Sequence, residues 1–172
     1  MIQTNHAHLN LMIELDRFDL QLLAELQANG RASNAQLAER IHLSASQVSR
    51  RIQRLEQEGL IERYVALLRA EALGLGVTAF VSVSLERHGE QQTGTFDEQV
   101  GTMDEVLECF AVSGDADYLL RVLTPSLPAL SDFLLHQLMR LPGVRNVKSN
   151  IVLSGVKHTT QLPLKHLHHG RR

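Results

Sequence analysis

Between Ser44 and Leu55 the sequence SASQVSRRIQRL gathers three arginines, Arg50, Arg51 and Arg54, and contains no carboxylate. A guanidinium can fork onto a guanine edge or a phosphate, and serine and glutamine can hydrogen-bond to base edges. Ser44, Ser46, Gln47, Ser49, Arg50, Arg51 and Arg54 therefore form a candidate DNA-contacting set. The rest of the chain offers little reactive chemistry. There is no Gly-rich phosphate loop, no G-x-S-x-G elbow and no H-E-x-x-H zinc motif, so no catalytic residue is assigned and an enzyme is not expected. Cys109, the single cysteine, alternates within an apolar run and is expected in the core. His166, His168 and His169 fall in a polar tail, expected to lack structure rather than to hold a metal. No resident cofactor is implied.

The arginines must be carried by an element, and the capping signals define one. Asp16 is placed to cap a helix running to Ala28, with Leu15 and Leu20 spaced as a hydrophobic staple. Asn29-Gly30 stops it. Ser33 with Gln36, and Ser44 with Gln47, are two S-x-x-Q capping boxes that open two shorter helices. The turn Ile41-His42-Leu43 between them suits a helix-turn-helix. On the third helix Val48, Ile52 and Leu55 form a narrow inward stripe at 100° per residue. Ser46, Arg50, Gln53, Arg54 and Gln57 point outward, which is how a recognition helix meets a major groove.

Past residue 63 the rhythm changes. Tyr64–Leu68 is strand-like, and Gly74 and Gly76 then break the chain. Ala79–Leu85 alternates as a half-buried strand. Phe96, Val100 and Met103 mark a helix, with Thr95 and Glu98 as its capping box. Val106–Val112 and Asp117–Leu123 form a hairpin around Ser113-Gly114-Asp115-Ala116. Ser126 caps a helix carrying Leu130, Phe133, Leu134, Leu138 and Leu141, and Val144–Leu153 is the last strand. The order is β-α-β-β-α-β, so the fold class is α+β: a helix-turn-helix followed by a ferredoxin-like antiparallel sheet with both helices on one side. Apolar residues on both faces of Val106–Val112 imply that another copy covers the open face.

Bulk properties agree. With 172 residues, 44% of them hydrophobic, and a net charge of −2, the chain has the composition of ordinary globular protein. Residues 1–63 hold seven arginines against eight carboxylates, so the positive patch is local. One cysteine, no signal peptide and no apolar run of membrane-spanning length favour the cytoplasm. The expected organisation is a leader (1–14), a helix-turn-helix (15–63), a linker strand and hinge (64–77), a sheet domain (78–155) and a tail (156–172).

The stretch LDRFDLQLLAELQANGRASNAQLAERIHLSASQVSRRIQRLEQEGLI, Leu15 to Ile61, resembles the N-terminal domain of the Lrp/AsnC, or feast/famine, regulators. The likeness continues through VSGDADYLLRV (Val112–Val122), LPGV (Leu141–Val144) and IVLSGVKHTTQLPL (Ile151–Leu164), covering about residues 15–164. It implies a winged-type helix-turn-helix that binds double-stranded promoter DNA, a sensing domain, and homodimers that assemble further to octamers. It also implies an effector, an amino acid or related metabolite, bound where sensing domains meet. By matching motif the effector residues are Gly114, Asp115, Asp117 and Tyr118, with Ser149 from a neighbouring subunit. Amides of a Gly-containing turn suit a carboxylate, and aspartate suits an ammonium. Ala45 stands where many members have proline. The rival reading is a metabolite-binding module that acts on protein partners without touching DNA.

Overall fold

The computed structural model describes residues 14–86 and 90–169. The chain forms two compact units, one ending at Leu67 and rejoined by the tail from His158, the other spanning Leu68–Lys157.

The first unit contains α1 (Arg17–Ala28), α2 (Asn34–Ile41) and α3 (Ala45–Gln57). Each opens with a capping box. Asp16 accepts from the Phe18 and Asp19 amides while Asp19 reaches back to the Asp16 amide; Ser33 pairs with Gln36 and Ser44 with Gln47 in the same way. Each box satisfies first-turn donors that would otherwise be orphaned. Leu22, Leu37, Val48 and Leu55 are fully buried between the helices, with Ile52 packed against them. Gly59 ends α3 at φ +74, a left-handed turn that returns Leu60 and Ile61 to this core.

The Asp16 cap yields a pH-dependent expectation. Burial pushes its carboxyl up, but hydrogen bonds from the Asp19 and Phe18 amides and from Arg51, with the Arg51 charge, outweigh it and hold the pKa below the ordinary value. The folded state therefore gains stability above the unfolded pKa of about 3.9 and loses it as pH falls through the depressed value. Asp16→Ala is expected to cost about 1 kcal/mol at pH 7. Asp16→Asn, which keeps a capping oxygen, should show a smaller loss between pH 5 and pH 2 than the parent. Denaturant melts across that range measure both.

The tail is ordered against α1, contrary to the expectation of a tail without structure. The Gln27 carboxamide accepts from the Leu162 amide at 2.6 Å and donates to the Leu162 carbonyl at 3.3 Å. Gln161 returns a bond to the Gln27 carbonyl at 3.5 Å. A glutamine side chain thus pairs with backbone as a neighbouring strand would, and Lys165–His169 closes as a 3-10 turn.

Tyr64–Leu68 is not a strand. It has no ladder partner among the described residues, and Val65, Leu67 and Leu68 are exposed. β-branched and aromatic residues favour extended backbone, but a strand also needs a neighbour.

The second unit is built on β1 (Val77–Leu85), β2 (Val106–Ala111), β3 (Tyr118–Thr124) and β4 (Val144–Ile151), antiparallel in the order β2-β3-β1-β4. Helix α4 (Glu90–Val100) connects β1 to β2. Helix α5 (Leu127–Asp132), capped by Ser126, runs on through a π turn (Phe133–Gln137) and a 3-10 turn (Leu138–Arg140) toward β4. This is the expected βαββαβ order. One face of the sheet is sealed by Phe96 and Val100 of α4 with Leu130, Phe133 and Leu138, packed on Ala79, Val81, Val83, Leu120 and Val122.

Three local expectations need correction. Helix α4 starts at Glu90, so Thr95 lies inside it rather than at its cap, and Met103 follows its end. Cys109 is exposed, because β2 is an edge strand with little above it. The helix opened by Ser126 is not regular: the Leu138 amide bonds to the Phe133 carbonyl, five residues back, as well as to Leu134. The leader before Glu14 and the side chains of His168 and His169 lie outside the described residues.

Candidate functional site

Helix α3 presents its polar face as expected, but two of its three arginines are not free. Asp19, on the first turn of α1, is fully buried, and both of its oxygens are engaged by α3. Arg51 Nη1 donates to Oδ1 at 2.6 Å and Arg54 Nη2 to Oδ2 at 2.5 Å. Arg51 Nη2 also reaches Asp16 Oδ2 at 2.8 Å. Desolvation alone would lower the Arg51 pKa, but the Asp19 and Asp16 carboxylates raise it overall. The helix segment without a carboxylate is thus compensated from another element. The arginines were legible in the sequence, and Asp19 as their partner was not. The D-x-x-D spacing of Asp16 and Asp19 was a legible capping box, whereas a partner 32 residues away was not.

Arg50 differs. It is exposed, and it makes no hydrogen bond or ion pair among the described residues. It lines an open depression of about 450 Å³ with Asp16, Arg51, Gln53, Arg54 and Gln57. Arg54 Nε is buried without a hydrogen-bond partner, with Glu58 Oε2 3.9 Å away. At the start of the helix, Ser44 and Gln47 are occupied by their own cap, and Ser46 Oγ lies 3.1 Å from Ser44 Oγ. The Gln47 amide nitrogen, the Ser46 hydroxyl, the half-buried Ser49 and Arg50 remain to meet a base edge.

In the sheet unit the hairpin between β2 and β3 holds four of the five predicted effector residues. Gly114 sits at φ +126, a conformation that side chains other than hydrogen rarely adopt, with open space where a Cβ would lie. Asp117 Oδ2 accepts from the Leu85 amide at 2.7 Å, and the Asp117 amide donates to the Val83 carbonyl at 3.0 Å. The Asp115 carbonyl takes a 3.4 Å bond from Ser84, and its side chain is exposed with no partner among the described residues. Tyr118 is a core residue, 6% exposed, its ring 4.6 Å from that of Phe96 and its hydroxyl near the Asp97 carboxylate. Burial and the Asp97 carboxylate push its hydroxyl pKa well up. Ser149 lies opposite Val81 on β4, across β1 from the hairpin, and is not brought to the turn within one chain. Desolvation and Asp97 raise the Cys109 thiol to about 11, which leaves it protonated and weakly nucleophilic at neutral pH. No cluster of three or more metal-ligating side chains occurs among the described residues. Nor is any described helix long and apolar enough to cross a membrane.

A capped helix with an exposed arginine at its reading face, in a helix-turn-helix joined to an antiparallel βαββαβ domain, defines a DNA-binding regulator with a ligand-binding companion. Residues 15–62 match a winged helix-turn-helix DNA-binding profile, and residues 78–162 match the Lrp/AsnC ligand-binding domain. The leucine-responsive regulatory protein of Klebsiella pneumoniae is 38% identical over 152 residues, covering 88% of this chain and 93% of that one. A transcriptional regulator of Neisseria meningitidis, solved as an L-Met complex, superposes with a TM-score of 0.87 at 42% identity, over 90% of this chain and 99% of that one. The feast or famine regulatory protein of M. tuberculosis, complexed with L-methionine, gives 0.75 at 33% identity, over 87% and 99%. The chain belongs to the Lrp/AsnC family of transcriptional regulators, and its function is DNA-binding transcription regulation rather than catalysis. Among the described residues, the stretch after α3 forms no paired wing strand.

Proposed function

We propose that this regulator reads promoter DNA with α3 and changes its activity when an amino acid binds at the Gly114–Tyr118 turn between neighbouring subunits. The DNA-facing set is Ser44, Ser46, Gln47, Ser49 and Arg50, while Arg51 and Arg54, expected with them from the sequence, lie on the same helix with their guanidiniums held by Asp19. The effector set is Gly114, Asp115, Asp117 and Tyr118, with Ser149 from an adjoining copy. The observation that carries the effector half is the contrast within the turn. Asp117 is consumed in clasping β1 to the hairpin and Tyr118 in the core, whereas Asp115 is exposed beside the permissive Gly114. A free carboxylate next to backbone amides complements an α-amino acid's two charges, and two relatives were solved with L-methionine.

Titration calorimetry of the full chain against the twenty amino acids tests this directly. One or a few should bind, and each should raise the melting temperature by mass action, by about 2.7 kcal/mol of stability at a hundred times Kd. Asp115→Ala should abolish the response while leaving ligand-free DNA binding intact. An Asp115→Ala variant that responds like the parent removes the turn from the site, and silence from all twenty removes the amino-acid effector.

The assembly we propose is a homodimer that associates further, to an octamer. The sheet face opposite the helices carries Phe80 and Phe110, 40% and 54% exposed, together with Leu119, Leu123 and the Arg121–Glu108 ion pair. Among the described residues the Tyr64–Leu68 segment pairs with no strand, and its Val65, Leu67 and Leu68 are exposed. Sedimentation of the full chain at micromolar concentration should give a dimer or larger species; a monomer overturns it. The compartment we propose is the cytoplasm, where a regulator that reads chromosomal promoters would act.

A further inference from the structure

We propose that Asp19 is a positioning residue for DNA recognition: it locks α3 to the first turn of α1 and withholds Arg51 and Arg54 from the phosphates, leaving Arg50 as the arginine that touches DNA directly. The proposal rests on α3 being the reading helix.

Arg51 and Arg54 are three residues apart, so they rise from one side of α3. Both turn toward the same fully buried carboxylate. Asp19 Oδ2 also takes the Asp16 amide at 3.0 Å, so each oxygen has at least one donor and one oxygen has two. Arg51 is held a second time by Asp16, and its guanidinium lies 5.5 Å from the centroid of the Phe18 ring. A phosphate that drew Arg51 and Arg54 away would leave Asp19 charged, buried and unpaired, which is strongly unfavourable. Two rigid struts from one carboxylate also fix the rotation of α3 about its own axis. A bidentate contact to a base edge tolerates little such rotation.

Of the three arginines on α3, two are held by carboxylates from the start of α1, so the number free to contact a phosphate is 3 − 2 = 1 rather than 3. Each phosphate contact contributes about 0.9 to the salt slope of log affinity. Each bound α3 should then contribute about 0.9 through its arginines, not about 2.7.

The test is a salt series of DNA binding by the full chain, followed by fluorescence anisotropy on a promoter duplex and on a random-sequence duplex. Four proteins are compared: the parent, Arg50→Ala, Arg51→Gln and Asp19→Asn. On the random duplex, where no specific base is offered and Arg50 meets phosphate, Arg50→Ala should flatten the slope by about 0.9 per bound helix. Arg51→Gln should leave the slope on the random duplex at the parental value while weakening promoter binding, because it loosens a strut and removes no phosphate contact. Asp19→Asn should steepen the slope by about 0.9 to 1.8 per helix, tighten random-duplex binding and cut promoter preference about tenfold as freed guanidiniums reach phosphates. A merely structural role would not raise the slope.

If Asp19→Asn does not fold, Arg51→Gln decides alone. An Arg51→Gln slope as flat as that of Arg50→Ala overturns the proposal, as does a folded Asp19→Asn protein with the parental slope. If Arg50→Ala has no effect on either duplex, the reading of α3 itself fails, and the proposal falls with it by a different route.

Discussion

Replacing Arg50 with alanine should weaken promoter binding by about 1–3 kcal/mol for each recognition helix engaged, roughly 5- to 150-fold. Arg50 is exposed and unpaired, so its guanidinium carries no internal duty and truncating it breaks no ion pair among the described residues. The helix should survive, since alanine is the best helix former and the Ser44–Gln47 box still caps it. The loss is therefore readable as DNA contact. Its sequence dependence is the sharper readout. A side chain that forks onto one guanine discriminates only at that base pair, so the variant should lose its preference there and keep it elsewhere. Competition gel shifts with a panel of single-base operator variants show which position goes flat. Uniform weakening across the panel would assign Arg50 to a phosphate instead.

The second large effect is on stability. Phe133 is 1% exposed and sits at the start of the π turn, in the layer that seals the sheet. Phe133→Ala should cost about 3–5 kcal/mol, the lost transfer energy plus the cavity left beneath Leu130 and Leu138. Against a total of about 5–15 kcal/mol, that leaves the sheet unit marginal. Hydrogen exchange at the β1 and β3 amides should accelerate by roughly two to three and a half orders of magnitude. Phe133→Leu, which refills most of the space, should recover most of the protection. An unchanged exchange pattern would mean that the helical layer does not hold the sheet.

Capping boxes, the inward stripe and the strand order could be read from the chain because each depends on neighbours within about a turn or on a short period. Ser33 with Gln36, and Ser44 with Gln47, formed the bonds their spacing implied. Thr95 with Glu98 has the same pattern and is no cap, because α4 had already begun at Glu90; the motif states a local option and not which helix turn will use it. The exposure of Cys109 depends on β2 being an edge, a property of sheet order rather than of strand pattern. Asp19 shows the larger gap. Its identity as an acidic first-turn residue was visible, but its function is set by two arginines on α3 that only packing brings to it. Charge counted along a sequence window overstated what α3 offers, since ion pairs respect distance in space.

The bonds that join Gln27 to Gln161 and Leu162 span 134 and 135 positions. A ribosome adds about 5–20 residues each second, so roughly 7 to 27 seconds separate the emergence of α1 from that of the segment that lies against it. The three helices can associate early, but Leu20, Gln21 and Ala24 keep an uncovered flank until the tail arrives. The unit made first is finished last. A nascent chain stalled before residue 161 would expose that flank to chaperones and proteases, however well its helices had already formed.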